Sequence, residues 1–189
     1  MDYIPLLDLW LPILLSGVAV FIVSAIVWMA LPHHKNEWKG LANEDAVMAA
    51  LRGTAAGGYV FPYASSMDAM KDPAYVAKRQ AGPAGFVTML PSGGGLGMGK
   101  QLVQSFVFYL VVGIFVAYVA SRAALPVGAH YLAVFRVVGT VAFLTHGFGV
   151  ITDAIWFGKK WSNVVKHLAD SLLYGLVTAG IFGTFWPDM

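Results

Sequence analysis

Four stretches of this chain run for about twenty residues or more with almost no charge, long enough as helices to cross roughly 30 Å of hydrocarbon. They are 10–31 (WLPILLSGVAVFIVSAIVWMAL), 102–120, 131–157 and 162–186. A soluble helix of that length needs a polar face to meet water, and the first two runs have none. An apolar fraction of 58% beside 12% charged residues, with mean hydropathy +0.69, excludes an ordinary soluble domain. The expected fold class is an all-α membrane protein of four transmembrane helices. The first run lacks the leading Lys or Arg, the short apolar stretch and the small-x-small site of a signal peptide, so it is read as a retained span.

The links RAALPVGAH and GKKW are short and make spans two to four antiparallel neighbours. Orientation follows from where Lys and Arg fall. Lys35, Lys39, Arg52, Lys71, Lys78, Arg79, Lys100, Lys159, Lys160 and Lys166 lie on one side, against Arg122 and Arg136 on the other. Ten against two places the long loop in the cytoplasm and both termini outside a bacterial inner membrane. The expected order is 1–31, outer terminus and first span; 32–100, cytoplasmic loop; 101–122, second span; 123–130, outer loop; 131–157, third span; 158–161, cytoplasmic link; and 162–189, fourth span with an outer C-terminus.

The loop contains two parallel stretches, 45–62 and 72–91, each reading as a short helix, a Gly break and a strand that ends at proline. Asn43 is the expected N-cap of the first helix, and Asp72 followed by Pro73 starts the second. GYVF and GFVTML have the β-branched and aromatic content of strands able to pair with each other. A small α+β cap results, with too little core to be stable alone.

Several motifs carry chemistry on paper. SGGGLGMGKQ matches most of a phosphate-cradling loop through Gly94, Gly99 and Lys100, but Gln101 stands where a magnesium-binding hydroxyl belongs. A membrane span follows it, so no parallel sheet can surround it. Nucleotide is therefore set aside, and Lys100 is read as a contact for lipid phosphate or another anion. A formal charge of +2 does not suggest a nucleic-acid partner.

Ionisable residues inside a bilayer are costly and are the default functional candidates. His146 and Asp153 on the third span, with His167 and Asp170 on the fourth, form two polar stripes expected to face each other as one seam, with His146 and Asp170 at matching depth. Such a seam serves either helix pairing or a proton or solute path. The cofactor expectation is none. A bis-histidine haem within the chain fails because the first two spans lack histidine, which leaves His146 only a role shared with a partner chain, as ligand to haem or pigment. His33, His34 and Glu37 at the exit of the first span form a candidate metal set, although adjacent surface histidines are more often simply interfacial. The absence of cysteine removes disulfides, thiolate sites and a cysteine nucleophile.

Small residues recur every fourth position as Gly113, Ala117 and Ser121 on the second span and as Gly175, Ala179 and Gly183 on the fourth. Such ridges let helices approach closely. The fourth-span ridge lies opposite Asp170, so the polar face is expected against the third span and the ridge against the first span, the second span or another protein.

The segments LPHHKNEWKGL, EDAVMAALR, GYVFP, MKDPAYVAK, GPAGFVTMLPSG, MGK, FRVVGTVAF and FGTFWP together resemble a family of small bacterial four-span inner-membrane proteins. The resemblance covers nearly the whole chain. It implies bacterial origin and the four-span layout, and it brings no activity and hence no catalytic residue. With no convergent catalytic set, the expected function is a non-enzymatic accessory or scaffolding subunit whose partners are the bilayer and other membrane subunits or further copies of the chain. The alternatives are a conduit built on His146 and Asp170, and an enzyme or ligand-binding protein at the membrane interface.

Overall fold

The computed structural model describes residues 4–91 and 97–188. Among them four helices are long and apolar enough to cross a membrane: Leu6–Ala30, Gly99–Arg122, Tyr131–Phe157 and Trp161–Thr184, here spans 1 to 4. Mean hydropathy falls from 2.5 in span 1 to 1.2 in span 4, because span 4 opens with the polar sequence WSNVVKHLAD.

Local sequence explains where each span bends or ends. Span 1 closes in a wide turn over Ile26–Ala30, and Leu31 is extended at φ −81° and ψ 143° because the proline that follows disfavours the helical region. Pro32–His34 then makes one tight turn that packs against span 4. Span 3 is broken at Phe148 into Tyr131–Gly147 and Gly149–Phe157, with a glycine on each side of the break. Gly158, at φ +73°, caps its end in the left-handed conformation that glycine tolerates, and span 4 starts three residues later.

Spans 3 and 4 pack together most extensively, and they do so through small residues. A Cβ added to Gly175 would lie 3.0 Å from the Gly139 carbonyl oxygen and 3.2 Å from the Phe143 nitrogen; one on Gly139 would lie 3.2 Å from Ala179, and one on Gly183 2.6 Å from the Tyr131 ring. The ridge of span 4 therefore faces span 3, and the face carrying His167 and Asp170 turns towards the exit of span 1, the reverse of the pairing expected from sequence. Gly113 of span 2 packs on Ile13 and Ser16 of span 1, while Ala117 and Ser121 are buried. Both ridges are used inside the chain.

Gly175→Val is expected to cost about 1–3 kcal/mol by forcing two backbones apart. Gly180→Ala is the control. Its added Cβ meets only the Tyr131 hydroxyl, at 3.9 Å, so the exchange should be neutral or stabilising by up to about 1 kcal/mol through helix propensity. Thermal unfolding of the detergent-solubilised variants measures both, and equal stabilities would refute the close approach.

The core runs through Val116, Ala120, Val134, Val138, Ala142 and Phe182, with Ile4, Leu9, Leu125 and Trp186 at one end. There the Gly128 N–H donates to the Pro187 carbonyl at 2.9 Å and the Trp186 indole N–H to the Pro126 carbonyl at 3.0 Å. Ile4 and Leu9, Trp186 and Pro187, and the 2–3 connection thus share one end of the bundle, and the exit of span 1 lies at the other.

The chain divides into two compact units, Met1–Trp38 with Gly97–Met189, and Lys39–Leu96. The latter compact unit is shorter than the expected loop 32–100 at its start, where His33, His34 and Glu37 are bonded to span 4. The second unit contains the helices Glu44–Leu51 and Pro73–Ala81 and the strands β1, Gly57–Phe61, and β2, Gly85–Met89, paired antiparallel from Gly57 opposite Met89 to Phe61 opposite Gly85. Helix, glycine and strand thus occur twice, as the sequence pattern implies. Asp72 caps its helix by accepting the Ala74 N–H at 2.7 Å, whereas Asn43 occupies the cap position without a side-chain bond. Among the described residues of this unit none is buried, so it has no core of its own.

Candidate metal centre

Two short motifs with the same spacing meet at the exit of span 1. His34 and Glu37 stand three residues apart around the tight turn, where such positions share a face; His167 and Asp170 stand three apart on span 4. The turn is held by the Lys35 N–H on the Pro32 carbonyl and the Glu37 N–H on the His34 carbonyl, both at 3.1 Å. Lys166 donates to the His33 carbonyl at 2.5 Å and ties the turn to span 4.

Imidazoles and carboxylates then interlock. His34 Nε2 lies 2.7 Å from Asp170 Oδ2, and His33 Nε2 lies 3.1 Å from Asp170 Oδ1. His34 Nδ1 lies 2.6 Å from Glu37 Oε1, while His167 Nε2 lies 3.2 Å from Glu37 Oε2. Lys166 Nζ stands 3.9 Å from Glu37 Oε1. Trp28 stacks flat on His34, ring centroids 4.0 Å apart and planes 4° from parallel, and meets His167 edge-on at 5.3 Å. The side chains of His34, Glu37 and Asp170 are 4%, 5% and 9% exposed, so their charges must be balanced within the protein.

Both ring nitrogens of His34 face carboxylate oxygens, which only accept when ionised, and a neutral imidazole has one N–H to donate. With the two carboxylates ionised, the second contact requires another proton or a cation in its place. Burial pushes the Glu37 carboxyl up, but its hydrogen bonds to His34 and His167 and the charges of those rings together outweigh burial and hold it below the usual 4.5. This contribution to stability is in place above that value and is lost as pH falls through the lowered one.

Two sets of three ligand atoms lie within 4.8 Å of one another: His33, His34 and Asp170, and His34, Glu37 and His167. Nitrogen and oxygen donors at such spacing suit a divalent transition metal, with bonds of about 2.0–2.2 Å.

The expected residues divide as follows. His33, His34, Glu37, His167 and Asp170 come together. His146 lies apart, half-buried, with its ring edge-on to Tyr109 at 5.8 Å and to Tyr174 at 5.7 Å, and both Asp170 oxygens are taken up by the histidines of the span 1 exit. Asp153 stands on the segment after the break in span 3 and is not part of the cluster. Lys100 is exposed on the first turn of span 2, beside Gly99; Gly94 lies outside the described residues. Sequence reasoning missed the joining of HHKNE to KHLAD, and Lys166 with it, although the matched spacing and the grouping of Lys166 with the lysines and arginines of the long loop were both legible.

Fold and site define a mostly helical protein with four helices long and apolar enough to cross a membrane, and with a histidine–carboxylate cluster where span 1 exits and span 4 begins. No family model matches the chain, and neither a curated protein nor a solved structure matches it.

Proposed function

We propose that this chain is a multi-pass membrane protein that binds a divalent transition-metal ion where span 1 exits and span 4 begins. One observation carries the reading: three histidines and two carboxylates converge within bonding distance, with His34 placed between both acids so that each of its ring nitrogens faces a carboxylate oxygen. The Lys and Arg distribution supports a bacterial inner membrane with this end, and unit Lys39–Leu96, in the cytoplasm.

Native mass spectrometry of the gently solubilised full-length protein tests the metal. One metal equivalent per chain is expected, removable by a strong chelator and restored by Zn²⁺ or Co²⁺. A chain that neither retains nor takes up metal ends the proposal. The same spectrum tests a second reading, an accessory subunit in a membrane complex, which is favoured by the exposed apolar side chains and absent core of the second unit. Co-purifying chains or further copies support it, and a lone monomer opposes it.

Orientation has its own test, free of background because the chain contains no cysteine. In intact bacterial cells a cysteine at Tyr63, 72% exposed, should resist an impermeant maleimide until the membrane is opened, whereas one at exposed Asp188 should react from outside. The opposite pattern would invert the topology.

A further inference from the structure

Resting on that reading, we infer that the metal seats in the half formed by His33, His34 and Asp170, that Glu37 is a positioning residue behind His34, and that the site stays open to a small anion.

The two halves differ in what surrounds their carboxylates. Glu37 already meets His34, His167 and the ammonium of Lys166, so a cation placed there would sit against a lysine. Asp170 is paired with His33 and His34 alone among the described ion pairs. Glu37 also sets the tautomer. A metal ligand must be a neutral ring, and with its proton on Nδ1 against Glu37 at 2.6 Å the His34 Nε2 lone pair is aimed at Asp170 Oδ2. Acceptor then faces acceptor at 2.7 Å, and a cation between them satisfies both. Tetrahedral ligands on bonds of about 2.0–2.1 Å stand roughly 3.3 Å apart. The present nitrogen–oxygen separations of 2.7 and 3.1 Å, to the two oxygens of Asp170, fall short of that by about 0.6 and 0.2 Å, and the three donor atoms lie within 4.8 Å of one another. Glu37 behind a ligating histidine is the carboxylate–histidine–metal arrangement that fixes ring orientation and raises ligand basicity.

Two histidines and one carboxylate supply three ligands, fewer than a divalent transition metal takes, and open positions distinguish reactive from structural sites. Access is available on the His33 side, where that side chain is 32% exposed. Lys166, 30% exposed, supplies nearby positive charge. The ligand class this favours is a small anion that bonds directly to the metal.

Co²⁺ titration of the full-length protein in detergent, followed by its visible absorption, tests the assignment. His33→Gln should weaken Co²⁺ binding at least tenfold, and His167→Gln should change it less than threefold. The reverse order overturns the assignment while leaving the metal reading intact; wild type that binds no Co²⁺ overturns the metal reading itself. Glu37→Gln should lower affinity about tenfold with an unchanged spectrum per bound ion. An altered spectrum would make Glu37 a ligand and refute its positioning role. Azide added to the wild-type Co²⁺ protein should shift the bands, and no shift at saturating azide would refute the open position. The Glu37→Gln and azide measurements need no His33 variant, so they decide the matter even if that variant fails to fold.

Discussion

His34→Phe is expected to destabilise the detergent-solubilised protein by about 3–5 kcal/mol, the cost of removing one partner from a buried charged set. That corresponds to a fall in Tm on the order of 10 °C for a chain of this size. The phenyl ring keeps the stacking on Trp28, so the exchange deletes the two ring nitrogens and little else. Both carboxylates pay for the change. Asp170 loses its shortest contact, at 2.7 Å, and Glu37 its contact at 2.6 Å, while both remain under 10% exposed. A Tm within about 2 °C of wild type would mean that His34 is not the hub of the cluster.

The triple exchange His34→Phe, Glu37→Leu, Asp170→Leu should recover most or all of that loss and abolish metal binding. Buried ionic clusters are seldom worth more to stability than well-packed apolar residues of similar volume, because desolvation consumes the attraction. Here the remaining polar groups have somewhere to go. His33, His167 and Lys166 are 32%, 22% and 30% exposed, and the lysine keeps its bond to the His33 carbonyl. A triple variant less stable than His34→Phe would show that the cluster exists to hold span 1 to span 4. Recovered stability with lost metal is the signature of a site kept for its chemistry.

The four long apolar helices were legible because length and apolarity can be read from one segment at a time, and each helix meets the rule for crossing a membrane. The second unit was legible in outline for a different reason: Asp72-Pro73, the glycine breaks and the β-branched runs are local signals. Half of the centre was visible too, since HHKNE reads as a candidate ligand set. The other half was assigned to the wrong neighbour. Counting 100° per residue correctly set the ridge of Gly175, Ala179 and Gly183 opposite Asp170, but rotation about a helix axis does not say which helix stands on which side. The close fit of Gly175 on Gly139 turns that ridge to span 3 and thereby delivers Asp170 to His33 and His34. His146, at matching depth on span 3, was left among aromatic rings instead.

Sequence by itself therefore determined four membrane-length helices, the side on which charge collects, the helix and strand pieces of the second unit and the two spaced histidine–carboxylate pairs. All of these are properties of one segment and its solvent. Only the tertiary structure decided that the pairs meet, because that depends on backbone contact between spans 3 and 4 and on the proline turn that folds the exit of span 1 back onto span 4. The histidine–carboxylate cluster of residues 33, 34 and 170 is a product of packing, and no single stretch of the chain encodes it.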